Sequence, residues 1–154
     1  MAKQSAGVLL FRQGPDGLLF LLVKPGGPFY TYRGNDPIWG IPKGEFDPAV
    51  ETPAEAAERE FREELGPGAP NLSGLLSLGT VKAGAKTIHG FAAQGNFDTT
   101  RLQSNTFELE WPRGSGKVTA YPEVDRAVWL EYEELAVFMY PAQLAFVDRL
   151  LAQL

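Results

Sequence analysis

The sequence predicts a mixed fold of strands and helices, α/β or α+β by class. Three observations support this prediction: apolar strand-like segments open the chain, a short charged helix separates them from a second group of strands, and an amphipathic helix closes the chain. The 154 residues contain no repeat, low-complexity segment or linker, and this length is typical of one domain. Strands, helix, strands and helix in this order fit an α/β/α sandwich, so we predict a single domain over residues 1–154.

The first part of the chain contains two predicted strands, residues 5–11 and 18–23, joined by a turn at residues 13–17. The second strand is apolar on both faces, which predicts a central position in the sheet. The aromatic and polar residues 29–36 are predicted to form a surface loop. Residues 38–44 then form a short extended piece.

After the charged helix, residues 75–82 and 86–94 are predicted to form two strands around a turn at Gly84. Residues 96–117 form a long excursion that contains a strand-like segment, and residues 127–130 a final strand. A short helical turn is predicted at residues 132–138, and an amphipathic helix at residues 142–154. The apolar residues of this last helix recur at helical spacing: Leu144, Val147, Leu150, Leu151 and Leu154.

Composition limits the kinds of function. The net charge is −5, so a broad nucleic-acid surface is not expected. The chain has no cysteine, which excludes disulfides, a thiol nucleophile and a cysteine zinc site. The N-terminal apolar run is too short to span a membrane and lacks a clear cleavage pattern, so we predict a cytoplasmic protein without a membrane partner. The oligomeric state is left open.

The charged helix has clear start and stop signals. Thr52 and Glu55 have the spacing of a capping box, and Pro53 occupies the first helical position. Gly66 favours a helix C-terminus, and Pro67 cannot continue the helix. The sequence therefore predicts a helix that begins after Thr52 and ends before Gly66.

The faces of this helix differ in chemistry. Its apolar residues form one stripe toward the core: Ala54, Ala57, Phe61 and Leu65. Pairs at i, i+4 cover the outer face: Glu55–Arg59–Glu63 and Glu58–Arg62. Glu60 and Glu64 lie one turn apart beside the apolar stripe, without a cation at i±4. Because a helix C-terminus disfavours carboxylates, this pair indicates either a bound divalent cation or a solvated acidic face.

The helix and the loop before it resemble the signature of the Nudix hydrolase family, the Nudix box, over residues 44–67. Gly44 and Glu51 take its first two fixed positions. The remaining positions follow in register: Arg59, Glu60, Phe61, Glu63, Glu64 and Gly66. This chain departs from the signature at three points. Six residues instead of five separate Gly44 from Glu51, Phe61 replaces an aliphatic residue, and Pro67 stands at the last hydrophobic position.

The resemblance implies a Nudix-type α/β/α sandwich with a mixed β-sheet. It also implies hydrolysis, by water attack at phosphorus, of a diphosphate linkage in a nucleoside diphosphate derivative such as a nucleoside triphosphate or a dinucleoside polyphosphate. Phosphate anions repel hydroxide, so this reaction needs a cation such as Mg²⁺ or Mn²⁺. The implied direct ligands are Glu60 and Glu64, with Glu63 as a ligand or a supporting partner that Arg59 orients.

Further site residues follow from the resemblance and from residue type. The backbone carbonyl of the residue before the first box glycine, here Lys43, joins the metal shell in the family. The general base is a box glutamate or a later carboxylate. The later candidates are Glu108 and Glu110, which alternatively form a solvated strand face, followed by Glu123 and Asp125. Candidates for contact with phosphate or base are Lys43, Lys24, Tyr30, Tyr32 and Arg33, whereas the single histidine, His89, is interpreted as structural.

Two alternative functions stay open at this point. One is a catalytically inactive Nudix-fold module that binds nucleotides or regulates, although such modules typically lose box glutamates that this chain retains. The other is an isomerase acting on a diphosphate-bearing substrate. The absence of cysteine argues against the relatives that use a cysteine for this chemistry.

Overall fold

A computed structural model describes residues 3–28 and 38–154 of the chain. Its main element is a six-stranded sheet with the path β4-β5-β1-β2-β8, in which β3 pairs with β1. The strands of this sheet are β1 (Gln4–Gly14), β2 (Gly17–Pro25), β3 (Lys43–Glu45), β4 (Leu76–Ala83), β5 (Lys86–Gln94) and β8 (Val124–Leu130). Strands β1 and β5 run parallel and the other pairs antiparallel, so the predicted mixed sheet is confirmed.

Helices cover both faces of this sheet. They are α1 (Pro53–Leu65), α2 (Tyr132–Phe138) and α3 (Leu144–Gln153). Alternate residues of the two central strands point to opposite faces. On one face, sheet residues pack against α1: Ala6, Val8, Leu10 and Leu21 with Ala57, Phe61 and Leu65. On the other face, they pack against α2 and α3: Leu9, Phe11, Phe20 and Leu22 with Leu135, Phe146, Val147 and Leu150. The α/β/α sandwich predicted from the sequence is confirmed.

A separate two-stranded hairpin consists of β6 (Thr106–Glu110) and β7 (Val118–Pro122). The sequence indicated the first of these strands within a long excursion, but not the second. Strand β7 is mostly exposed and lacks a buried alternating face, so its sequence gives no strand pattern. Strand β8 also begins three residues earlier than predicted, because Asp125 and Arg126 are exposed charged residues that hide its start.

The C-terminal region differs slightly from the prediction. The short turn predicted at Tyr132–Phe138 is a complete helix, α2. The closing helix α3 begins at Leu144, after a 3₁₀ turn at Pro141–Gln143, rather than at residue 142. Within residues 3–28 and 38–154, no helix is both long and apolar enough to cross a membrane. The predicted loop at residues 29–36 lies outside the described residues.

Candidate functional site

Helix α1 positions the acidic residues of the site, and its N-terminus has the predicted cap. Thr52 Oγ1 accepts a hydrogen bond from the Glu55 N–H at 3.2 Å, and Glu55 Oε1 accepts one from the Thr52 N–H at 2.9 Å. Glu60 and Glu64, one turn apart, are only 7% and 8% exposed. The helix therefore presents two carboxylates at the edge of a buried face, which usually excludes charge.

Gly44 allows Glu60 to approach the sheet closely. Gly44 lies in β3, opposite Ala6 of β1. A Cβ atom built on Gly44 would lie 2.1 Å from Glu60 Cδ, a distance that real Cβ atoms do not show. Any side chain at this first glycine of the box would therefore force the Glu60 carboxylate or β3 to shift.

Glu64 is held by the same strand. The Lys43 N–H donates a hydrogen bond to Glu64 Oε1 at 3.1 Å. Burial raises the pKa of Glu64 to about 8, and the neighbouring carboxylates of Glu60 and Glu123 contribute in the same direction. Without a cation, this carboxyl group is therefore largely protonated at neutral pH.

The third carboxylate comes from Glu123, which links β7 to β8. The Gly26 N–H donates to the Glu123 carbonyl at 3.0 Å, and the Glu123 N–H donates to the Asn105 carbonyl at 2.8 Å. These contacts fix Glu123 beside the end of β2. One carboxylate oxygen from each of Glu60, Glu64 and Glu123 lies within 4.8 Å of the others, and we call these three residues the carboxylate cluster.

The donor set of the carboxylate cluster fits a hard divalent cation. All three side chains offer oxygen atoms, which Mg²⁺ and Mn²⁺ prefer as ligands. Burial also raises the pKa values of Glu60 and Glu123, because both carboxylates lose hydration. The negative charge of the nearby Glu63 raises both pKa values further. A cation between the three groups would remove this electrostatic cost.

Arg59 connects the acidic residues around the cluster. Its guanidinium donates to both carboxylate oxygens of Glu51, at 2.8 and 2.9 Å, and to Glu60 Oε1 at 2.9 Å. It also reaches Glu63 at 3.2 Å, as the i, i+4 spacing predicted, and these hydrogen bonds raise the pKa of Arg59. Arg59 contacts Glu51 in place of Glu55, the other partner that the i, i+4 spacing predicted. Although the loop after Gly44 has one extra residue, Glu51 still contacts helix α1 through Arg59.

The structure does not bring every candidate carboxylate to the cluster. Glu63 is held by Arg59 and is not among the three clustered residues. Glu108 and Glu110 lie on the exposed face of β6. Glu110 Oε1 accepts from the Gly114 N–H at 2.7 Å and thereby supports the turn of the hairpin. The third carboxylate of the cluster comes instead from Glu123, which ranked below Glu108 and Glu110 among the sequence candidates.

Two further candidates, Lys24 and His89, have partners outside the cluster. Lys24 pairs with Asp125 at 3.3 Å. His89 Nε2 lies 2.6 Å from Gln4 Oε1, and its ring meets Phe46 edge-on, consistent with a structural role. Three further candidates lie outside the described residues: Tyr30, Tyr32 and Arg33.

A cleft consisting of two adjoining cavities opens at the cluster, with volumes of about 440 and 500 Å³. Residues that border both cavities are Pro25, Lys43, Glu64, Lys86 and Glu123. The first cavity extends along Val23, Ile41, Ile88, Tyr140 and Gln143. The second extends along Ser5, Gly44, Glu45, Glu60 and Phe107. Volumes of this size accommodate small-molecule ligands.

Lys43 and Lys86 supply positive charge at the junction of the two cavities. Burial, together with the nearby Lys86 ammonium, lowers the pKa of Lys43. Lys86 was not a candidate from the sequence, because a lysine after a tight turn is typical of any exposed hairpin. Its role in the cleft follows only from the pairing of β4 with β5.

Cation binding is expected to depend on pH. The folded-state pKa of Glu64 is about 8, above its ordinary value, so the folded metal-free protein binds this proton more tightly than the unfolded chain. Its stability should therefore fall as the pH rises from about 4.5 to 8. Since Mg²⁺ competes with the proton, the increase in melting temperature caused by Mg²⁺ should be larger at pH 8 than at pH 6.

Thermal unfolding in EDTA and in excess Mg²⁺ at both pH values measures this coupling. The Glu64→Gln variant serves as the control, because glutamine has no carboxyl group that exchanges a proton for Mg²⁺. An equal Mg²⁺-induced shift at pH 6 and pH 8 in the unsubstituted protein would contradict the coupling.

The fold and site define a class: a mixed-sheet α/β/α protein with a carboxylate-lined cleft suited to a divalent cation and an anionic ligand. A sequence model of the NUDIX domain matches residues 1–152. The chain belongs to the Nudix family, and the resemblance found in the box is confirmed.

Solved structures with the same fold include several Nudix proteins. A NUDIX hydrolase from Nitrosomonas europaea is 19% identical, with a TM-score of 0.61 over 99% of this chain and 90% of that one. A C. elegans Ap4A hydrolase is 21% identical, with a TM-score of 0.59 over 98% and 96%. The NUDIX domain of Shewanella oneidensis NrtR, in complex with ADP ribose, is 15% identical, with a TM-score of 0.63 over 99% and 88%. A search of curated proteins gave no match.

Proposed function

We propose that this protein hydrolyses a diphosphate linkage in a nucleoside diphosphate derivative and requires Mg²⁺ or Mn²⁺. The observation that carries the proposal is the carboxylate cluster, in which oxygens from the buried Glu60 and Glu64 and the half-buried Glu123 lie within 4.8 Å of one another in a ligand-sized cleft. Buried carboxylates beside lysines match the needs of phosphate chemistry, because a cation must separate the acidic groups from the substrate.

In the proposed site, the carboxylate cluster holds the cation, with the carbonyl of Lys43 as a further oxygen ligand. A cation held there would neutralise phosphate oxygens and lower the pKa of a water molecule. Glu123 takes the ligand role that the sequence offered to Glu63. Glu63 acts from outside the cluster, where Arg59 orients it.

Arg59 is a positioning residue in this proposal. It holds Glu51, Glu60 and Glu63 together through charge-assisted hydrogen bonds of 2.8–3.3 Å. By fixing the side chain of Glu60, it limits the conformational entropy lost when the cluster closes around a cation.

The first cavity supplies a place for the organic part of the substrate. Ile41, Ile88 and Val23 give it apolar walls, and Tyr140 adds an aromatic ring. Apolar walls with a few polar groups are typical of nucleotide and cofactor sites. We propose that the nucleoside lies here, while the phosphates extend toward the carboxylate cluster.

The test is cleavage of a substrate panel with Mg²⁺ and with EDTA. The panel includes nucleoside triphosphates, Ap4A, ADP ribose and nucleotide sugars; a structurally similar protein is named as an Ap4A hydrolase, and another was solved with ADP ribose. The proposal predicts Mg²⁺-dependent cleavage of at least one class. Nucleotide binding without cleavage of any class would instead favour an inactive binding module.

The organisation as one domain over residues 1–154 and a cytoplasmic location belong to the same proposal. Both were predicted from the sequence. Limited proteolysis that releases a stable fragment shorter than the 1–152 match would contradict the first.

A further inference from the structure

Residues 103–105, which we call the bridging segment, connect the end of helix α1 to the start of strand β8. The Gln103 N–H donates a hydrogen bond to the Leu65 carbonyl, and the Asn105 N–H donates one to the Glu63 carbonyl, both at 3.0 Å. The last carbonyls of a helix have no partner within the helix, so the bridging segment caps the C-terminus of α1. This end of α1 is therefore anchored to a part of the chain that is distant in sequence.

The same segment contacts the backbone of Glu123 and of the residue after it. The Glu123 N–H donates to the Asn105 carbonyl at 2.8 Å, and the Val124 N–H donates to Ser104 Oγ at 3.3 Å. The hydroxyl hydrogen of Ser104 has two carbonyl oxygens within reach, that of Val124 at 3.0 Å and that of Asn105 at 2.9 Å. One half-buried side chain thus contacts both backbone polar groups of the residue that follows Glu123.

Strand β2 cannot hold this part of β8 by regular pairing. Pro25 lies opposite Val124, at a point where the register of the two strands shifts, and proline has no N–H to donate. Val124 is only 4% exposed, so a carbonyl without a donor at this position would cost free energy. A hydroxyl can both donate and accept, and the Ser104 side chain therefore suits both backbone groups of Val124.

These contacts fix Glu123 relative to the other two carboxylates. Glu60 and Glu64 come from α1, whereas Glu123 comes from the link between β7 and β8, and the bridging segment is bonded to both parts of the fold. Like charges repel one another, so the three carboxylates do not hold themselves together. Groups that orient the ligands of a metal ion typically change its affinity by about 10- to 100-fold.

We propose that Ser104 is a positioning residue for the cation site, and that it keeps Glu123 within reach of Glu60 and Glu64 before a cation binds. Ser104 acts through the backbone of Val124. It does not border either cavity in the described part of the chain, so its role is not contact with the substrate. The proposal rests on the cation site of the proposed function, but it does not depend on hydrolysis.

Binding of Mn²⁺, followed by electron paramagnetic resonance of the free ion, tests this role without a substrate. Ser104→Ala removes the hydroxyl, and Ser104→Thr keeps it. Ser115→Ala is the matched control, because it removes a serine hydroxyl that accepts from a backbone N–H, that of Lys117 at 3.1 Å, in the turn between β6 and β7. Melting temperatures in EDTA show whether each variant is folded.

We expect Ser104→Ala to weaken Mn²⁺ binding by ~10-fold, because Glu123 is no longer held at the cluster. Ser104→Thr should stay within ~3-fold of the unsubstituted protein, and Ser115→Ala should match it. Ser104→Ala should also lower the melting temperature in EDTA, since a buried hydrogen bond is lost. Lower stability alone leaves the Mn²⁺ affinity of a protein that is still folded unchanged. If Ser104→Ala does not fold, Ser104→Cys takes its place, because a thiol is a weaker donor of similar size.

A double-mutant cycle with Glu123→Ala shows whether Ser104 acts through Glu123. In a protein that already lacks the Glu123 carboxylate, Ser104→Ala should weaken Mn²⁺ binding by less than ~2-fold. The resonance of the free ion also follows weak binding, so the affinity of Glu123→Ala itself is measurable. A ~10-fold loss in this background as well would show that Ser104 acts on another part of the site, and it would overturn the proposal.

Three further results would overturn the positioning role: unchanged Mn²⁺ affinity in Ser104→Ala, an equal loss in Ser115→Ala, or a folded Ser104→Thr protein that binds as weakly as Ser104→Ala. Hydrolysis data separate this failure from failure of the proposed function. Mg²⁺-dependent nucleotide cleavage with an affinity that does not depend on Ser104 would refute the positioning role alone. Mn²⁺ binding that depends on Ser104, without cleavage of any nucleotide, would refute the hydrolase function and leave the positioning role intact.

Discussion

Replacing Glu64 with glutamine is expected to reduce Mg²⁺-dependent turnover by at least ~100-fold while the fold is retained. The carboxylate is 8% exposed and accepts a hydrogen bond from the Lys43 N–H at 3.1 Å. Glutamine keeps an oxygen for this hydrogen bond and nearly the same volume, but it cannot supply negative charge to a cation. Since the pKa of Glu64 is raised to about 8, losing the charge should also make the metal-free protein no less stable at neutral pH.

Steady-state rates across a Mg²⁺ titration, with circular dichroism as a check on folding, measure this effect. Glu58→Gln is the matched control, because it makes the same change on the same helix at a residue that pairs with Arg62 at 3.4 Å and is not part of the carboxylate cluster. The control should lose no more than about 0.5 kcal/mol of stability and keep its activity. A Glu64→Gln protein with unchanged turnover would remove Glu64 from the catalytic site.

Replacing Gly44 with alanine should disable the site through geometry rather than charge. The added methyl group would lie 2.1 Å from Glu60 Cδ, so either Glu60 or β3 must move. Overpacking of this kind typically costs about 1–3 kcal/mol of stability. We expect the affinity for Mg²⁺ to fall by more than ~10-fold, because Glu60 can no longer converge with Glu64 and Glu123.

Thermal unfolding and calorimetric Mg²⁺ titration of Gly44→Ala test this expectation. The control is Gly95→Ala, whose new methyl group would meet, among the described residues, only the flexible end of Leu10, at 3.3 Å. This control should keep its Mg²⁺ affinity. If Gly44→Ala binds Mg²⁺ as tightly as the unsubstituted protein, the close approach of Glu60 to β3 is not needed for the site.

The sequence predicted helix α1 and its acidic edge well because both depend on local rules. The capping box, the glycine stop and the burial of Phe61 and Leu65 follow from spacing along one helix. The contact between Arg59 and Glu51 could not be derived from helical spacing, because Glu51 precedes the helix cap. It depends on how the loop after Gly44 folds back onto α1.

Glu123 was difficult to predict because long-range contacts bring it to the site. Its backbone is fixed by Gly26 and Asn105, far away in the sequence, and by the return of an exposed hairpin strand with no apolar pattern. The strand at Thr106–Glu110 instead supplied the candidates Glu108 and Glu110, because acidic and apolar residues alternate there. In the structure, the acidic residues of this strand lie on the exposed face of the hairpin.

Lys86 was not recognised as a site residue for a similar reason. A lysine after a glycine turn is common in any sheet protein. Its position in the cleft requires the parallel pairing of β1 with β5, in which Ser5 lies opposite Ile88. Parallel pairs join segments distant in sequence, so local spacing cannot predict them.

The most direct test of the proposed site is a crystal structure of the protein soaked with Mn²⁺, with anomalous diffraction used to locate the ion. The account predicts an anomalous peak coordinated by carboxylate oxygens of Glu60, Glu64 and Glu123, at about 2.0–2.2 Å as expected for a hard cation of this size. It also predicts that this peak is absent from Glu64→Gln crystals. A Mn²⁺ ion bound elsewhere in crystals of active protein, with the three carboxylates uncoordinated, would contradict the account.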